Sequence, residues 1–181
     1  MRADAQRNVG QLLEAAKAVF AESGVDAPVR EIAARAGVGV GTLYRHFPQR
    51  SDLITAVFKS EVDAAAAEAP RLSAEHEPIE ALLQWLMRFT GFIATKGGLA
   101  AALHSGDPAY EPLPRYFEAN FGPVVHSLLE AAEATGQIRA GAVEPVDLLR
   151  AVANLSLAGD EEHTRRMVRL LIDGLRFSSA R

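Results

Sequence analysis

The chain has 181 residues, of which 49% are hydrophobic, and a formal net charge of −4. This length and composition can bury a substantial core as one large or two small domains, which argues against an intrinsically disordered protein. Cysteine is absent, so a disulfide framework and a thiolate metal site are excluded, and neither a metal nor a cofactor is expected. The amino terminus lacks the apolar run of a signal peptide and no apolar stretch could cross a bilayer, so we expect a cytoplasmic protein.

Three helices are predicted in the first fifty residues. The first carries one apolar stripe and ends at Gly24. Two short helices follow and meet at Gly37, because a left-handed cap residue costs least when it has no Cβ. Ile32 in the first short helix would face a core, and Leu43 and Phe47, four residues apart in the second, would anchor that helix to the same core.

The outer face of the second short helix carries small, hydroxyl and basic groups but no carboxylate, so it would tolerate phosphate oxygens. Gly41 costs stability inside a helix but lets the backbone approach a DNA strand closely. A flexible loop is the alternative, although the apolar periodicity continues on both sides of the glycines. The pattern predicts a helix-turn-helix whose outer residues are Val40, Gly41, Thr42, Tyr44, Arg45 and His46.

From about Asn8 to Phe58 the chain resembles the N-terminal domain of TetR-family transcription regulators. The motifs that carry this resemblance are Leu12-Leu13-Glu14-Ala15-Ala16, Ile32-Ala33, Ala36-Gly37-Val38 and Gly41-Thr42-Leu43-Tyr44-Arg45-His46-Phe47. Family members often begin the first motif helix with threonine or serine. This chain has Pro28-Val29 there, and proline offers no hydroxyl for a phosphate contact.

The resemblance implies a DNA-binding role for each outer residue. Hydroxyl and imidazole groups suit phosphate contacts, which the family places at Thr42, Tyr44 and His46. Arg50 stands where the family commonly has a lysine that touches the DNA backbone. The groove-facing positions would be Val40, Gly41 and Arg45, of which Arg45 could bond either a guanine edge or a phosphate.

The cations favour the end of the chain that carries these motifs. Residues 1–55 sum to +1, whereas residues 56–181 sum to −5. Because the excess is small, DNA binding would depend on where individual arginines lie more than on the overall field. The arginines concerned are Arg2, Arg7, Arg45 and Arg50.

The rest of the chain predicts further helices and no strands. A fourth helix would follow Pro48 and end in a proline-bounded break at residues 70–78. The next helix would stop at the Lys-Gly-Gly of residues 96–98, before a turn-rich loop at residues 105–114.

A helix opening near Tyr116 would kink at Pro123 and end at Gly136. Two more apolar helical patterns complete the chain. The expected fold class is therefore all-α, with a three-helix helix-turn-helix domain at residues 1–56 and an antiparallel helical effector-binding and dimerisation domain at residues 57–181.

The last two helices are more apolar than one buried stripe requires. In the resembled family the final two helices pair with their copies in a second subunit as a four-helix bundle. A buried hairpin in a monomer is the alternative, but a homodimer suits a palindromic DNA operator. The predicted interface consists of Leu149, Val152, Leu155, Val168, Leu171 and Leu175.

Aromatic residues cluster in the middle of the chain, where a helical bundle could enclose an apolar pocket for an unidentified small-molecule effector. Ordinary core packing is the alternative for the rings, and a satisfied or exposed position is the alternative for the histidines. The predicted pocket consists of Trp85, Phe89, Phe92, His104, Tyr116, Phe117, Phe121, His126 and Asn154.

The sequence thus predicts a DNA-binding transcription regulator, a repressor that a small-molecule effector releases from a palindromic operator. The alternative function is a helical adaptor that does not bind DNA. An enzyme is not expected, because the glycines lack phosphate-loop spacing and the histidines and carboxylates are scattered.

Overall fold

The first three helices follow the apolar stripes of the sequence. The computed structural model describes residues 2–157 and 160–176, and within these it describes no side chains for residues 2–7, 94–98, 100, 101 and 103. Helix α1 spans Arg2–Ser23, α2 spans Val29–Arg35 and α3 spans Val40–His46. Their inward residues are buried, among them Leu12, Ile32 and Leu43, so the three helices share one core. The side chains of Arg2 and Arg7, predicted to help bind DNA, lie outside the described residues.

The turn between α2 and α3 depends on Gly37, as predicted. Gly37 has a φ of +68°, a left-handed conformation, while Ala36 before it keeps helical angles. The amides of Gly37 and Val38 then donate to the carbonyls of Ala34 and Ala33 at 3.1 and 3.0 Å. These two bonds satisfy carbonyls that the end of α2 would otherwise leave unpaired.

Helix α4 spans Arg50–Glu75 and the next helix begins at Pro78, so the break falls inside the predicted segment of residues 70–78, and only its expected start at Pro70 is wrong. Pro70 lies inside the helix, where it removes one backbone hydrogen bond. The buried neighbours Ala69 and Leu72 continue the apolar stripe through this point, and Arg71 pairs with carboxylates on both adjacent turns. Burial and the exposed ion pairs together offset the lost bond.

Helix α5 spans Pro78–Leu103, so the predicted stop at residues 96–98 is also wrong. Two glycines in a helix cost about 1 kcal/mol each against alanine. Beyond them, however, Leu99 and Ala102 are buried and extend the stripe that includes Ile93. That burial outweighs the local preference of the glycines.

The remaining elements agree with the predicted order. A turn-rich segment with a single 3₁₀ turn at Pro108–Tyr110 leads into α6, Leu113–Ala134, which contains Pro123. Helix α7 spans Pro145–Leu157 and α8 spans Glu161–Arg176. The described residues contain no strand, which confirms the all-α class, and none of the described helices could span a membrane.

The described residues form two compact units. The first contains the chain up to Glu61 together with Thr95–Tyr116, and the second contains Val62–Ala94 and the chain from Phe117 onward. The helix-turn-helix lies in the first unit. The domain boundary between residues 56 and 57 stays a prediction.

The substitution Gly37→Ala should lower the free energy of unfolding by about 1–2 kcal/mol, the usual cost of a left-handed conformation for a residue with a Cβ. No atom lies within 4 Å of the added Cβ, so the effect would be purely conformational. Gly41→Ala is the matched control, since its Cβ also meets open space but its backbone is helical. It should stabilise the protein by up to about 1 kcal/mol. Urea unfolding at one protein concentration measures both, and equal shifts would contradict the prediction.

Candidate nucleic-acid interface

Helix α3 presents the predicted residues on its outer side. Leu43 and Phe47 point inward and are buried. The opposite side, called here the α3 outer face, exposes 39% of Val40 and 49% of Tyr44. It consists of Val40, Gly41, Thr42, Tyr44, Arg45 and His46, of which only Thr42 is half-buried. The structure therefore brings these six predicted residues together, and their contacts with DNA remain a prediction.

The charge on this face comes from its last turn. Arg45 and His46 occupy the carboxyl-terminal turn of α3, where a cation complements the helix dipole, and α3 has no acidic residue in its first turn. Within the described part of the chain, Arg45 forms no ion pair. Its guanidinium therefore remains available to a base edge or a phosphate.

The neighbouring Arg35 is instead committed to a carboxylate. Its Nη1 and Nη2 donate to Oε2 and Oε1 of Glu22 at 2.7 and 2.8 Å. These hydrogen bonds hold the pKa of Glu22 below its ordinary value. Both side chains are exposed, so the pair adds little stability, but it neutralises a cation close to α3.

The start of α2 lacks a hydroxyl cap, as the sequence indicates. Pro28 is the N-cap residue and no side chain bonds the free amides there. The carbonyl of Pro28 accepts the amide of Glu31 at 2.9 Å, which begins the helix. A side-chain phosphate contact of the kind that threonine or serine could make is absent from this position.

Arg50, predicted to touch phosphate, is turned toward the protein. It is half-buried, and its Nη1 donates to the carbonyl of Val25 and, at 2.9 Å, to that of Ala27. Both carbonyls belong to the loop between α1 and α2. The guanidinium thus makes its described contacts with backbone of its own unit.

Comparison with known proteins decides the family. Residues 12–57 match the family model of bacterial regulatory proteins of the tetR family, and residues 77–177 match the C-terminal domain of SbtR-like transcriptional regulators. The chain belongs to the TetR family of bacterial transcription regulators. Such regulators bind DNA through a helix-turn-helix, act as dimers and are not enzymes.

Two solved TetR structures are similar over nearly their whole length. A TetR transcriptional regulator from Streptomyces coelicolor is 36% identical, with a TM-score of 0.81, and the match covers 94% of this chain and 99% of that one. One from Mycobacterium vanbaalenii is also 36% identical, with a TM-score of 0.75 and coverage of 97% and 99%. An HTH-type transcriptional regulator of Staphylococcus aureus is 33% identical over 94 residues. That match spans 49% of this chain and only about half of the curated relative, 51%.

The aromatic residues of the predicted effector pocket pack against one another. Phe117 and Phe121 have ring centroids 4.9 Å apart, and Trp85 and Phe121 lie edge to face at 5.3 Å. Phe89 and Phe92 join the same cluster at centroid distances of 5.3–6.0 Å. The indole nitrogen of Trp85 donates to the carbonyl of Ala65 at 2.9 Å. These rings form core of this TetR-family protein, and at such distances no ligand fits between them.

The polar residues predicted for that pocket are all exposed. His104 and Asn154 are exposed. His126 is exposed as well and lies 3.4 Å from a carboxylate oxygen of Glu130 on the next turn. Tyr116 belongs to the other unit, where the ammonium group of Lys59 lies 5.1 Å from its ring centroid. Within the second unit the rings therefore pack as core and His126 and Asn154 are exposed, while the effector pocket as a whole stays a prediction.

The predicted dimer interface needs a correction at three of its six residues. Leu149, Val152 and Val168 are buried within a single protomer, because α7 and α8 pack their apolar stripes inside it. Leu155, Leu171 and Leu175 are half-buried. The large exposed apolar side chains of these helices are instead Val146, Leu157 and Leu170, which are 50%, 73% and 64% exposed.

Sequence reasoning missed an ion pair that ties α1 to α4. Lys17 Nζ lies 2.7 Å from Oε1 of Glu61, and Glu61 is buried. The two residues are 44 positions apart, and neither stands in a motif. A buried carboxylate needs a partner, so this pair fixes the distance between the two helices within the first unit.

The substitution Glu61→Gln should therefore lower the free energy of unfolding by about 1–3 kcal/mol, since it leaves Lys17 without its buried partner. Glu68→Gln on the same helix is the control. Glu68 pairs with Arg71 at the exposed surface, where solvent screens the pair, so its loss should cost much less stability than the loss of the buried Glu61 carboxylate. Urea unfolding of both variants at equal protein concentration provides the measurement, and a similar cost for the two would refute a structural role for the Lys17 pair.

Proposed function

We propose that this TetR-family protein is a repressor that binds a palindromic operator with the α3 outer face of each subunit in the major groove. The observation that supports this is an exposed helix without carboxylates, seated on the core by Leu43 and Phe47. An adaptor that did not bind DNA would gain nothing from excluding negative charge from an exposed helix.

Each outer residue has a proposed role. Thr42, Tyr44 and His46 donate to phosphate oxygens and fix the position of the helix on the duplex. Val40, Gly41 and Arg45 face the groove, and Arg45 makes the base-specific contact. Gly41 has open space where a Cβ would be, so nothing in the protein itself requires glycine there. Close approach of the backbone to DNA supplies the reason.

A second subunit completes the DNA-binding protein. We propose that Val146, Leu157 and Leu170 meet their copies across a two-fold axis, with half-buried Leu155, Leu171 and Leu175 at the edges of the contact. Exposed leucines on two adjacent helices are costly in water and are stabilised by burial in a dimer. The two α3 helices would then lie about one DNA turn, roughly 34 Å, or a multiple of it apart.

Release by a small molecule follows from linkage. An effector lowers operator affinity only if it binds the DNA-free form more tightly than the DNA-bound form, and operator DNA then lowers effector affinity by the same factor. The proposed hinge lies in α4 near residues 58–62, where the helix passes from the first unit to the second. The effector itself stays unidentified.

Selection of duplexes from a random pool tests the DNA-binding function. The bound sequences should share a palindrome, and the protein should lower transcription from a promoter that carries it. Turnover or purely protein partners, with no salt-dependent affinity for DNA, would contradict this proposal.

On the selected duplex, Tyr44→Phe should weaken binding about thirtyfold. It removes one hydroxyl donor from each subunit, at about 1 kcal/mol per hydrogen bond. Binding to random duplexes should weaken as well, because phosphate contacts carry no sequence information. Tyr116→Phe makes the same chemical change outside α3 and serves as the control. Fluorescence anisotropy titrations measure both, and wild-type affinity for Tyr44→Phe would remove the phosphate role.

For the dimer, Leu170→Asp should produce monomers at micromolar concentration, because it places a charge in the proposed apolar contact. Arg165→Gln alters the charge on another side of the same helix and should leave the dimer intact. Sedimentation velocity reports the mass of each. A dimeric Leu170→Asp variant would place the subunit contact elsewhere.

A further inference from the structure

We propose that Arg50 is a positioning residue, which holds the loop before α2 against the start of α4 and so sets α3 for the DNA groove. This inference rests on the proposed DNA binding by α3. It assigns Arg50 to the interior of the first unit instead of the phosphate backbone.

The hydrogen bonds of Arg50 to described residues connect parts of the first unit. Its Nη1 donates to the carbonyls of Val25 and Ala27, whose own side chains are buried. These residues immediately precede Pro28, which caps α2 without any side-chain hydrogen bond. The guanidinium of Arg50 therefore anchors this loop to α4, whereas Pro28 makes no side-chain hydrogen bond that could hold it.

The charge of Arg50 also needs this environment. Arg50 is the first residue of α4, where a cation opposes the positive end of the helix dipole. Two carbonyl oxygens present their negative ends to the guanidinium and offset that repulsion. Asp52 accepts the amide of Gln49 at 2.9 Å and completes the amino terminus of the helix.

The charge of the Arg50 guanidinium acts on a buried tyrosine, Tyr110. Burial raises the pKa of Tyr110, and the carboxylate of Asp107 raises it further, whereas Arg50 lowers it. Tyr110 lies in the 3₁₀ turn of the same unit and is almost fully buried. The positive charge of Arg50 thus acts on the protein interior.

The side-chain chemistry distinguishes an anchor from a phosphate contact. A phosphate contact does not require a guanidinium, because the lysine ammonium also binds phosphate as a point charge. Two backbone carbonyls that accept from Nη1 require the length of arginine. The lysine ammonium would end at about the position of the arginine Cζ, one bond short of Nη1. This explains arginine at a position where the resembled family commonly has lysine.

Displacement of the loop would reach α3 through α2. The loop leads directly into α2, whose Ile32 and Ala33 are buried in the common core. Hydrogen bonds at Gly37 then join α2 to the turn before α3. A shift at Val25 and Ala27 would accordingly change the angle of the α3 outer face without removing any of its side chains.

The experiment compares Arg50→Ala, Arg50→Lys and the control Arg45→Ala. Binding to the selected duplex and to a random duplex is measured between about 50 and 200 mM KCl, together with hydrogen exchange of the peptide covering residues 22–32 without DNA. Both Arg50 variants should bind the selected duplex at least about tenfold more weakly, with an unchanged slope of log affinity against log salt, and should exchange faster in that peptide. Arg45→Ala should weaken binding with unchanged exchange.

Two results would overturn the assignment. One is wild-type affinity for Arg50→Lys. The other is a slope for Arg50→Ala that falls by about 0.9 for each phosphate the protein no longer neutralises, with unchanged exchange in the 22–32 peptide. If Arg50→Ala does not fold, Arg50→Lys decides through its affinity and its exchange in the 22–32 peptide, because a variant that keeps the charge keeps the salt slope under either role. If the wild-type protein binds neither duplex, the proposed function fails, while the exchange data still decide whether Arg50 anchors the loop.

Discussion

The burial of Leu43 and Phe47 is the constraint on which the DNA-binding surface depends. Leu43 lies in α3, and Phe47 directly follows the helix and donates its amide to the carbonyl of Leu43 at 2.8 Å, so both side chains enter the core. Burial of each stabilises the fold by about 1.5–3 kcal/mol, enough to fix the rotation of a seven-residue helix that could not hold its shape alone. Once that rotation is fixed, Gly41, Tyr44 and Arg45 can only face outward.

Placement of charge, and not its sum, makes this surface suitable for a polyanion. The whole chain is acidic, but all of its excess negative charge lies outside the first 55 residues, which sum to +1. Within the first unit, Arg35 is neutralised by Glu22 and Arg50 bonds its own backbone. Arg45 therefore carries the positive charge of the α3 outer face. A protein built this way gains affinity from a few well-placed contacts, while its acidic remainder opposes nonspecific coating of DNA.

Local sequence patterns predicted the helix-turn-helix, but they did not predict contacts between residues far apart in the sequence. The turn at Gly37 and the core positions of α3 follow from backbone preference and from a period of 3.6 residues, both visible within ten residues of sequence. Pro70 and the glycines at 97 and 98 misled prediction because burial of their neighbours overrides local propensity.

The bonds from Arg50 to Val25 and from Lys17 to Glu61 join residues 25 and 44 positions apart, and no periodicity encodes such pairs. The aromatic cluster shows the opposite difficulty. The helical spacing of the aromatic residues correctly indicated that their rings lie close together. Spacing alone could not distinguish a packed core from an open pocket.

Within the first unit, an ion pair connects α4 to α1. Helix α4 is continuous for 26 residues and passes from one unit to the other between Glu61 and Val62. At that point Glu61 is buried and bonded to Lys17 of α1. A displacement of α4 at Glu61 would reach α1 through this ion pair, because breaking the pair would leave a buried charge without its partner. An effector that displaced α4 would therefore have to move α1 as well, and α1 shares its core with the helix that carries Leu43.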